Sequence, residues 1–304
     1  MYCRRSRQLY CKTCRCRCIT CFGRKIFKIE NVEVIITDEE IEVLLDDMLQ
    51  QYGYDFTEYS KASFKRRIQR LFIMDKFSSF AALRYRIKTD QDYFNHAVTE
   101  ISVNVTEMFR DPLFYKVIRE KIIPVLATHP FIRIWHAGCA TGEEVYSMAI
   151  LLKEANLLER SLLYGTDLNP LVLDRARNGI FQVNQMQQYS KNYILSGGLQ
   201  EFSSYYTANY NLAKFNEIFQ RKMIFSTHNL VSDFSFNSFQ LIFCRNVLIY
   251  FEKNLQGKVL DLFDNSLDML GFLALGSKES LRFSSIAHKY KQLEDREKIW
   301  RKLK

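Results

Sequence analysis

The stretch Leu241-Ile242-Phe243-Cys244-Arg245-Asn246-Val247-Leu248-Ile249-Tyr250-Phe251 sets an Arg-Asn pair inside an otherwise mostly apolar run. A buried parallel strand has no use for a cation and an amide in its core, because burying either without partners is costly. The pair makes chemical sense at the carboxyl end of a strand, where open α/β sheets bind their ligands. A second such place is Ala137-Gly138-Cys139-Ala140-Thr141-Gly142-Glu143, after the apolar segment 131–135. Gly138 and Gly142 allow a ligand to approach the backbone closely, and the helix start that follows offers N–H groups. With only two glycines the G-x-G-x-x-G fingerprint is not met. Two carboxylates sharpen the reading. Asp167 ends the next strand, where it can accept hydrogen bonds from ribose hydroxyls, and Glu143 opens the helix facing the same crevice. Each has a plainer role, first-turn helix stabilisation for Glu143 and a turn or cap for Asp167. Their joint occurrence with Asn246, beyond a third strand, favours a ligand site.

The elements that must position these residues alternate. Strands are expected at 131–135, 162–166, 223–226, 239–243 and 272–275, with helices at 143–155, 170–178 and 254–270 between them. That alternation argues a doubly wound, Rossmann-like parallel sheet. Asp111-Pro112 is a helix start, with Asp as N-cap and Pro at the first position, for a helix to about residue 127. The segment 290–304 is helical by propensity. Upstream, Thr37-x-x-Glu40 is a capping box before apolar residues Ile41, Leu44, Leu45, Met48 and Leu49 at helical spacing, closed by Tyr52-Gly53. Further helices at 60–72, 80–88 and 92–101 complete a small all-α domain over residues 34–100. The second of these four carries Lys61, Lys65, Arg66, Arg67 and Arg70, either a solvated face or a docking surface for an acidic helical partner.

Composition narrows the classes. The 304 residues are 47% apolar and 25% charged, as in a soluble globular protein, and no run of about 18 apolar residues suggests a membrane span. The formal net charge of +9 is matched by nine Lys and Arg residues in the first 28 positions; the remainder is balanced, which weakens a nucleic-acid-binding reading. Six of the eight cysteines crowd that tail as well (Cys3, Cys11, Cys14, Cys16, Cys18 and Cys21). Their spacing matches no paired C-x-x-C metal module, so residues 1–33 are read as a disordered arm or a mis-assigned start, and no metal is expected.

Four motifs then carry a resemblance: Asn104-Val105-Thr106-Glu107-Met108-Phe109-Arg110, the Ala137–Ser147 loop and helix start, Tyr164-Gly165-Thr166-Asp167, and Cys244-Arg245-Asn246-Val247-Leu248-Ile249-Tyr250-Phe251. In order and spacing the chain resembles the CheR family, S-adenosylmethionine-dependent methyltransferases that esterify glutamates on chemotaxis receptors. The resemblance implies that residues 101–304 form the S-adenosyl-L-methionine-binding domain, with a small β-subdomain at about 185–221. It implies that Asn104, Thr106 and Arg110 close over the cofactor, and that Glu143 and Asp167 are acidic cofactor ligands, with Asp167 on the ribose. Asn229 and Leu230 fall near the adenine, and Asn246 and Val247 under the methionine portion. Arg110, Arg245 and Tyr250 fall around the substrate carboxylate, as catalytic residues. It also implies that the basic helix meets methyl-accepting receptors in the cytoplasm, that the chain is a monomer, and that 290–304 is an antiparallel hairpin, against local propensity. Val145 stands where the family often has Pro, and 185–221 is Tyr- and Asn-rich with a Gly197-Gly198 turn.

Such chemistry needs no strong base: a free glutamate titrates near about 4.3, so the acceptor is already a carboxylate at neutral pH. Alignment and exclusion of water remain to be supplied. Rival readings are a methyltransferase on another substrate and a cofactor-binding, non-catalytic regulator. The absence of an Asn/Asp-Pro-Pro-Tyr motif after the strand before Asn246 argues against a nucleic-acid amine as acceptor.

Overall fold

The computed structural model describes residues 36–102 and 106–304, so the cysteine-rich tail and Asn104 lie outside the described residues. Four helices come first: α1 (Asp38–Tyr52), α2 (Lys61–Met74), α3 (Phe80–Thr89) and α4 (Gln91–Ile101). The capping box forms in full, with Thr37 N–H donating to Glu40 and Glu40 N–H to the Thr37 hydroxyl, and Gly53 ends α1 at φ 73°. Ile41, Leu44, Leu45 and Met48 are buried as their spacing demands, whereas Leu49 is 37% exposed at the edge of the apolar stripe.

This bundle is stitched to the rest of the protein before α2 begins. Tyr59 and Phe251 form an antiparallel bridge, Ser60 N–H donates to the Tyr250 carbonyl (2.8 Å), and Glu252 N–H to the Glu58 carbonyl (3.0 Å). A second seam joins Asn169 Nδ2 to Thr99 Oγ1 at 2.8 Å.

A helical run follows: α5 (Pro112–Val117), a π-helical turn (Ile118–Ile122) and α6 (Ile123–Leu126). Asp111 occupies the N-cap position, but its side chain makes no capping bond. Next come β1 (Ile132–Ala137), α7 (Glu143–Glu154), β2 (Ser161–Asp167), α8 (Pro170–Asn178), β3 (Ile180–Gln182) and α9 (Val183–Leu195). They are followed by β4 (Tyr206–Asn209), β5 (Leu212–Phe215), α10 (Glu217–Gln220), β6 (Met223–Thr227) and β7 (Phe239–Cys244). The chain closes with α11 (Lys253–Ser266), β8 (Leu267–Leu275), β9 (Tyr290–Glu294) and β10 (Ile299–Lys302).

The large sheet has the order β6-β2-β1-β7-β8-β10-β9, parallel from β6 through β8 and antiparallel in the final hairpin. Between β1 and β7 the winding reverses, which opens a crevice at the carboxyl ends. Register brings those ends level: Ala137 pairs with Thr166, Asp167 with Thr227, and Cys244 with Leu275. The loops after β1, β2, β6, β7 and β8 therefore emerge along one edge. A smaller antiparallel sheet, β3-β5-β4, lies with α9 in the expected insertion, beginning at Ile180, somewhat before the position read from sequence, and containing a helix that the β label did not foresee.

Two local expectations are corrected. The helix expected over 254–270 stops at Ser266, and Leu267–Leu275 is strand instead. An apolar run carries no period that separates a buried helix from a strand buried on both faces, so pairing with β7 decides it. The segment 290–304 forms the hairpin that the resemblance implies and not the helix that local propensity favours, because β10 pairs along β8 and buries Ile299 and Trp300. Replacing Trp300 with Ala is expected to lower the unfolding free energy by about 3–5 kcal/mol, read from the shift in a urea-unfolding midpoint. An unshifted midpoint would mean that the hairpin is peripheral to the core.

Candidate active site

Each of the three loops that meet at the crevice is held in a backbone geometry that ordinary residues avoid. Of nine non-glycine residues with positive φ among the described residues, four belong here: Phe109 (52°), Asp111 (58°), Ala140 (47°) and Asn246 (62°). Such conformations cost on the order of 1–3 kcal/mol each and persist where surrounding contacts over-determine them. Those contacts can be named.

Phe109 is fully buried among Tyr115, Tyr193 and Phe202, its N–H donates to Ser147 Oγ on α7 (2.9 Å), and the neighbouring Met108 carbonyl accepts from Asn192 Nδ2 on α9 (3.0 Å). Arg110 is thereby presented to the crevice. In the glycine loop, Gly138 and Cys139 N–H both donate to the Thr166 carbonyl, and Ala140 N–H donates to Asp167 Oδ2 at 2.9 Å. Gly138 sits at φ 72°, and a Cβ there would lie 2.5 Å from Val247 Cγ2, so no other residue fits.

Between the loops is a cavity of about 340 Å³. Thr106, Arg110, Asp167, Asn229 and Leu230 line it; so do Arg245, Asn246, Val247 and Tyr250. Sequence spacing and resemblance thus pointed to residues that the fold brings together. Glu143 stands apart. Its carboxylate is buried away from the cavity wall, accepting from Thr141 Oγ1 (2.6 Å) with Tyr189 Oη at 3.5 Å, and burial raises its pKa. The next residue, Glu144, lines the cavity instead. One helical position, a turn of roughly 100°, separates the two, and sequence could not say which faced inward.

Arg245 lines the cavity while being paired to protein groups. Its side chain is 4% exposed, with Nη2 2.5 Å from Asp111 Oδ2, Nη1 3.4 Å from Glu144 Oε2 and from the Arg110 carbonyl, and the guanidinium 4.0 Å from the Phe114 ring centre. Glu144 accepts further from His136 Nδ1 at 3.0 Å. Burial pushes the Glu144 carboxyl up, but His136 and Arg245 outweigh it and hold it below the ordinary range. Arg245 is committed to protein partners; Arg110, Tyr250 and Arg67 also line the cavity. Arg67 reaches over from α2 to place its guanidinium 5.5 Å from the Tyr250 ring centre. Burial raises the Tyr250 pKa, opposed by the positive fields of Arg67 and Arg110.

The cavity suits a nucleoside cofactor by its size and by its wall. Asp167 sits at the carboxyl end of β2, pinned by Ala140 and Asn169 N–H, with burial raising its pKa. Tyr115 and His228 line the same wall. Glu279, buried beside Asn246, was missed from sequence because a single Glu beyond a strand carries no pattern. Among the described residues no His, Cys, Asp and Glu cluster could hold a metal, and no helix is long and apolar enough to cross a membrane. Replacing Arg245 with Ala takes from buried Glu144 one of its two side-chain partners and leaves a cavity beside Phe114, and is expected to cost about 2–3 kcal/mol of stability in denaturant titration. A residue serving only to touch substrate would leave the midpoint in place.

Comparison with known proteins agrees with this architecture. Residues 104–299 match the CheR methyltransferase SAM-binding domain, and residues 39–102 the CheR methyltransferase all-alpha domain. The chain is 45% identical over 266 residues to "Putative methyltransferase Cher3" of Pseudomonas putida, covering 88% of this chain and 97% of that one. It is 30% identical to chemotaxis protein methyltransferase 1 of Vibrio cholerae, covering 82% and 91%, and 29% identical to the chemotaxis protein methyltransferase of Listeria innocua, covering 75% and 85%. Two domains matched in order, with the crevice lined by the motif residues, lead to one conclusion: the chain belongs to the CheR family of S-adenosylmethionine-dependent methyltransferases.

Proposed function

We propose that this methyltransferase esterifies glutamate side chains on the helical cytoplasmic domain of chemotaxis-type receptors. The observation that carries the reading is the trio of Arg110, Arg67 and the Tyr250 hydroxyphenyl in the cavity wall, a cationic surround suited to a carboxylate. The names of the Vibrio and Listeria relatives support the chemotaxis setting.

S-adenosylmethionine, when bound, supplies an electrophilic methyl group on a sulfonium. Asp167, Asn229 and Leu230 would hold its nucleoside half, with Asn246, Val247 and Thr106 beside the methionine half and Asn104 on the same segment as Thr106. Glu144 faces that space in the place assigned from sequence to Glu143. Arg110 orients the incoming carboxylate by charge-assisted hydrogen bonds, and the Tyr250 hydroxyl adds a further contact. The acceptor is already ionised, so no side chain need remove a proton. Orientation rather than tight pairing is required, since a clamp that held the ground state as strongly would not speed the step. Arg245 acts through Arg110 by holding its carbonyl and the side chain of the following Asp111.

The exposed face of α2 would meet the receptor helix. Arg66 and Arg70 are exposed, while Lys61 and Lys65 reach Glu42 and Asp38 of α1. Pairs this exposed are worth roughly 0–1 kcal/mol, so both lysines can exchange partners with acids on a docking helix.

The test is to incubate the protein with methyl-labelled cofactor and receptor-rich membranes. Base-labile label on a receptor band is the expected result; label stable to base, or none, would reopen the other-substrate and non-catalytic readings. Arg110→Ala should abolish transfer, and Tyr250→Phe should lower kcat by about tenfold, the worth of one hydrogen bond. Unchanged turnover in Arg110→Ala would remove that residue from the reaction.

A further inference from the structure

Glu279 lies in the turn after β8, 5% exposed, and its carboxylate accepts from four backbone N–H groups. Three belong to the loop after β7: Asn246 (3.0 Å), Val247 (2.8 Å) and Ile249 (3.4 Å); the fourth is Gly276 of its own turn (2.6 Å). A carboxylate has about four acceptor sites, so this one is saturated by main chain. We propose that Glu279 is a positioning residue, which acts through the backbone of residues 246–250 to set the distance between the bound cofactor and the acceptor carboxylate.

The geometry gives that backbone two ends. At one end, Asn246 is held at φ 62°, and Val247 packs against Gly138 of the glycine loop, both on the cofactor side. At the other, Ile249 adjoins Tyr250, whose N–H is tied back to the Val247 carbonyl at 3.1 Å. A single anion bonded to both ends prevents the loop from relaxing Asn246 out of its strained conformation or letting Tyr250 drift. The turn is fitted to the loop as closely as the carboxylate is. A Cβ on Gly276 would lie 2.8 Å from Asn246 N and 2.7 Å from Glu279 Oε2, and the intervening Ser277 and Lys278 line the same cavity. The acceptor side of this inference rests on the glutamyl-ester reading; the cofactor side does not.

Glu279→Gln keeps the shape but turns an NH₂ toward backbone donors, and Gly276→Ala keeps the carboxylate but displaces the loop. Calorimetric titration of each variant with S-adenosylhomocysteine needs no acceptor, so its outcome is independent of whether glutamate esters form. Both variants are expected to bind S-adenosylhomocysteine about tenfold or more weakly per folded molecule, the effect of losing one or more of these hydrogen bonds. The KM for S-adenosylmethionine should rise and kcat should fall, while the KM for the receptor fraction stays within about twofold. If either variant, corrected for its folded fraction by circular dichroism, binds with wild-type affinity and turns over at the wild-type rate, Glu279 is a purely structural residue and the proposal fails. A fall in thermal midpoint with unchanged affinity per folded molecule sinks it equally.

Discussion

A buried guanidinium is the constraint around which this site is organised. Arg245 leaves the end of β7 into a space where it can stay charged only if acids accompany it, and the two it meets come from elsewhere in the chain. Asp111 closes the segment carrying Arg110, and Glu144 begins the helix after the glycine loop. Three sequence motifs, separated by as many as 134 positions, are thus held in one charge cluster. The cost of leaving buried Arg245 or Glu144 unpaired ties their placement together, while Asp111, half exposed, completes the cluster from its rim. Asp111 shows the consequence locally: it sits at a helix N-cap yet forgoes the capping bond, because the stronger demand comes from the cation.

Around that cluster the loops store backbone strain where chemistry is to happen. Phe109, Asp111, Ala140 and Asn246 adopt left-handed conformations, and each is bracketed by buried side chains or hydrogen bonds. Strain of this kind presents Arg110 and Asn246 in fixed directions without the entropy cost of ordering them when a ligand arrives. The geometry is therefore prepared in advance of the cofactor.

The helical domain is part of the site rather than an appendage to it. Its second helix begins on a hydrogen bond to the Tyr250 carbonyl, and Arg67 of that helix reaches the Tyr250 ring. The surface proposed to meet a receptor and the residue proposed to meet its glutamate share one short stretch of backbone. Docking of a partner helix would consequently be felt at Tyr250 with no long chain of intermediates.

Much of this was legible beforehand, for identifiable reasons. The capping box at Thr37, Pro170 opening α8, the apolar runs of β1 and β7 and the Arg-Asn interruption after β7 are local signals, each set by side-chain chemistry within a few residues. They placed most of the elements and the parallel sheet, while most of the residues around the cavity came from the family resemblance; the tail and Asn104 lie outside what the structure describes. Three matters were decided only by tertiary structure. Whether 267–270 and 290–302 are helix or strand is open to local pattern and is settled by the partner strands they meet. Which of Glu143 and Glu144 faces the cavity depends on the rotation of α7, which is set by packing and not by the pair itself. The commitment of Arg245 to Asp111 and Glu144, and of Glu279 to the loop after β7, depends on approaches across dozens of positions, because a buried charge is defined by its partners and those partners are distant in sequence.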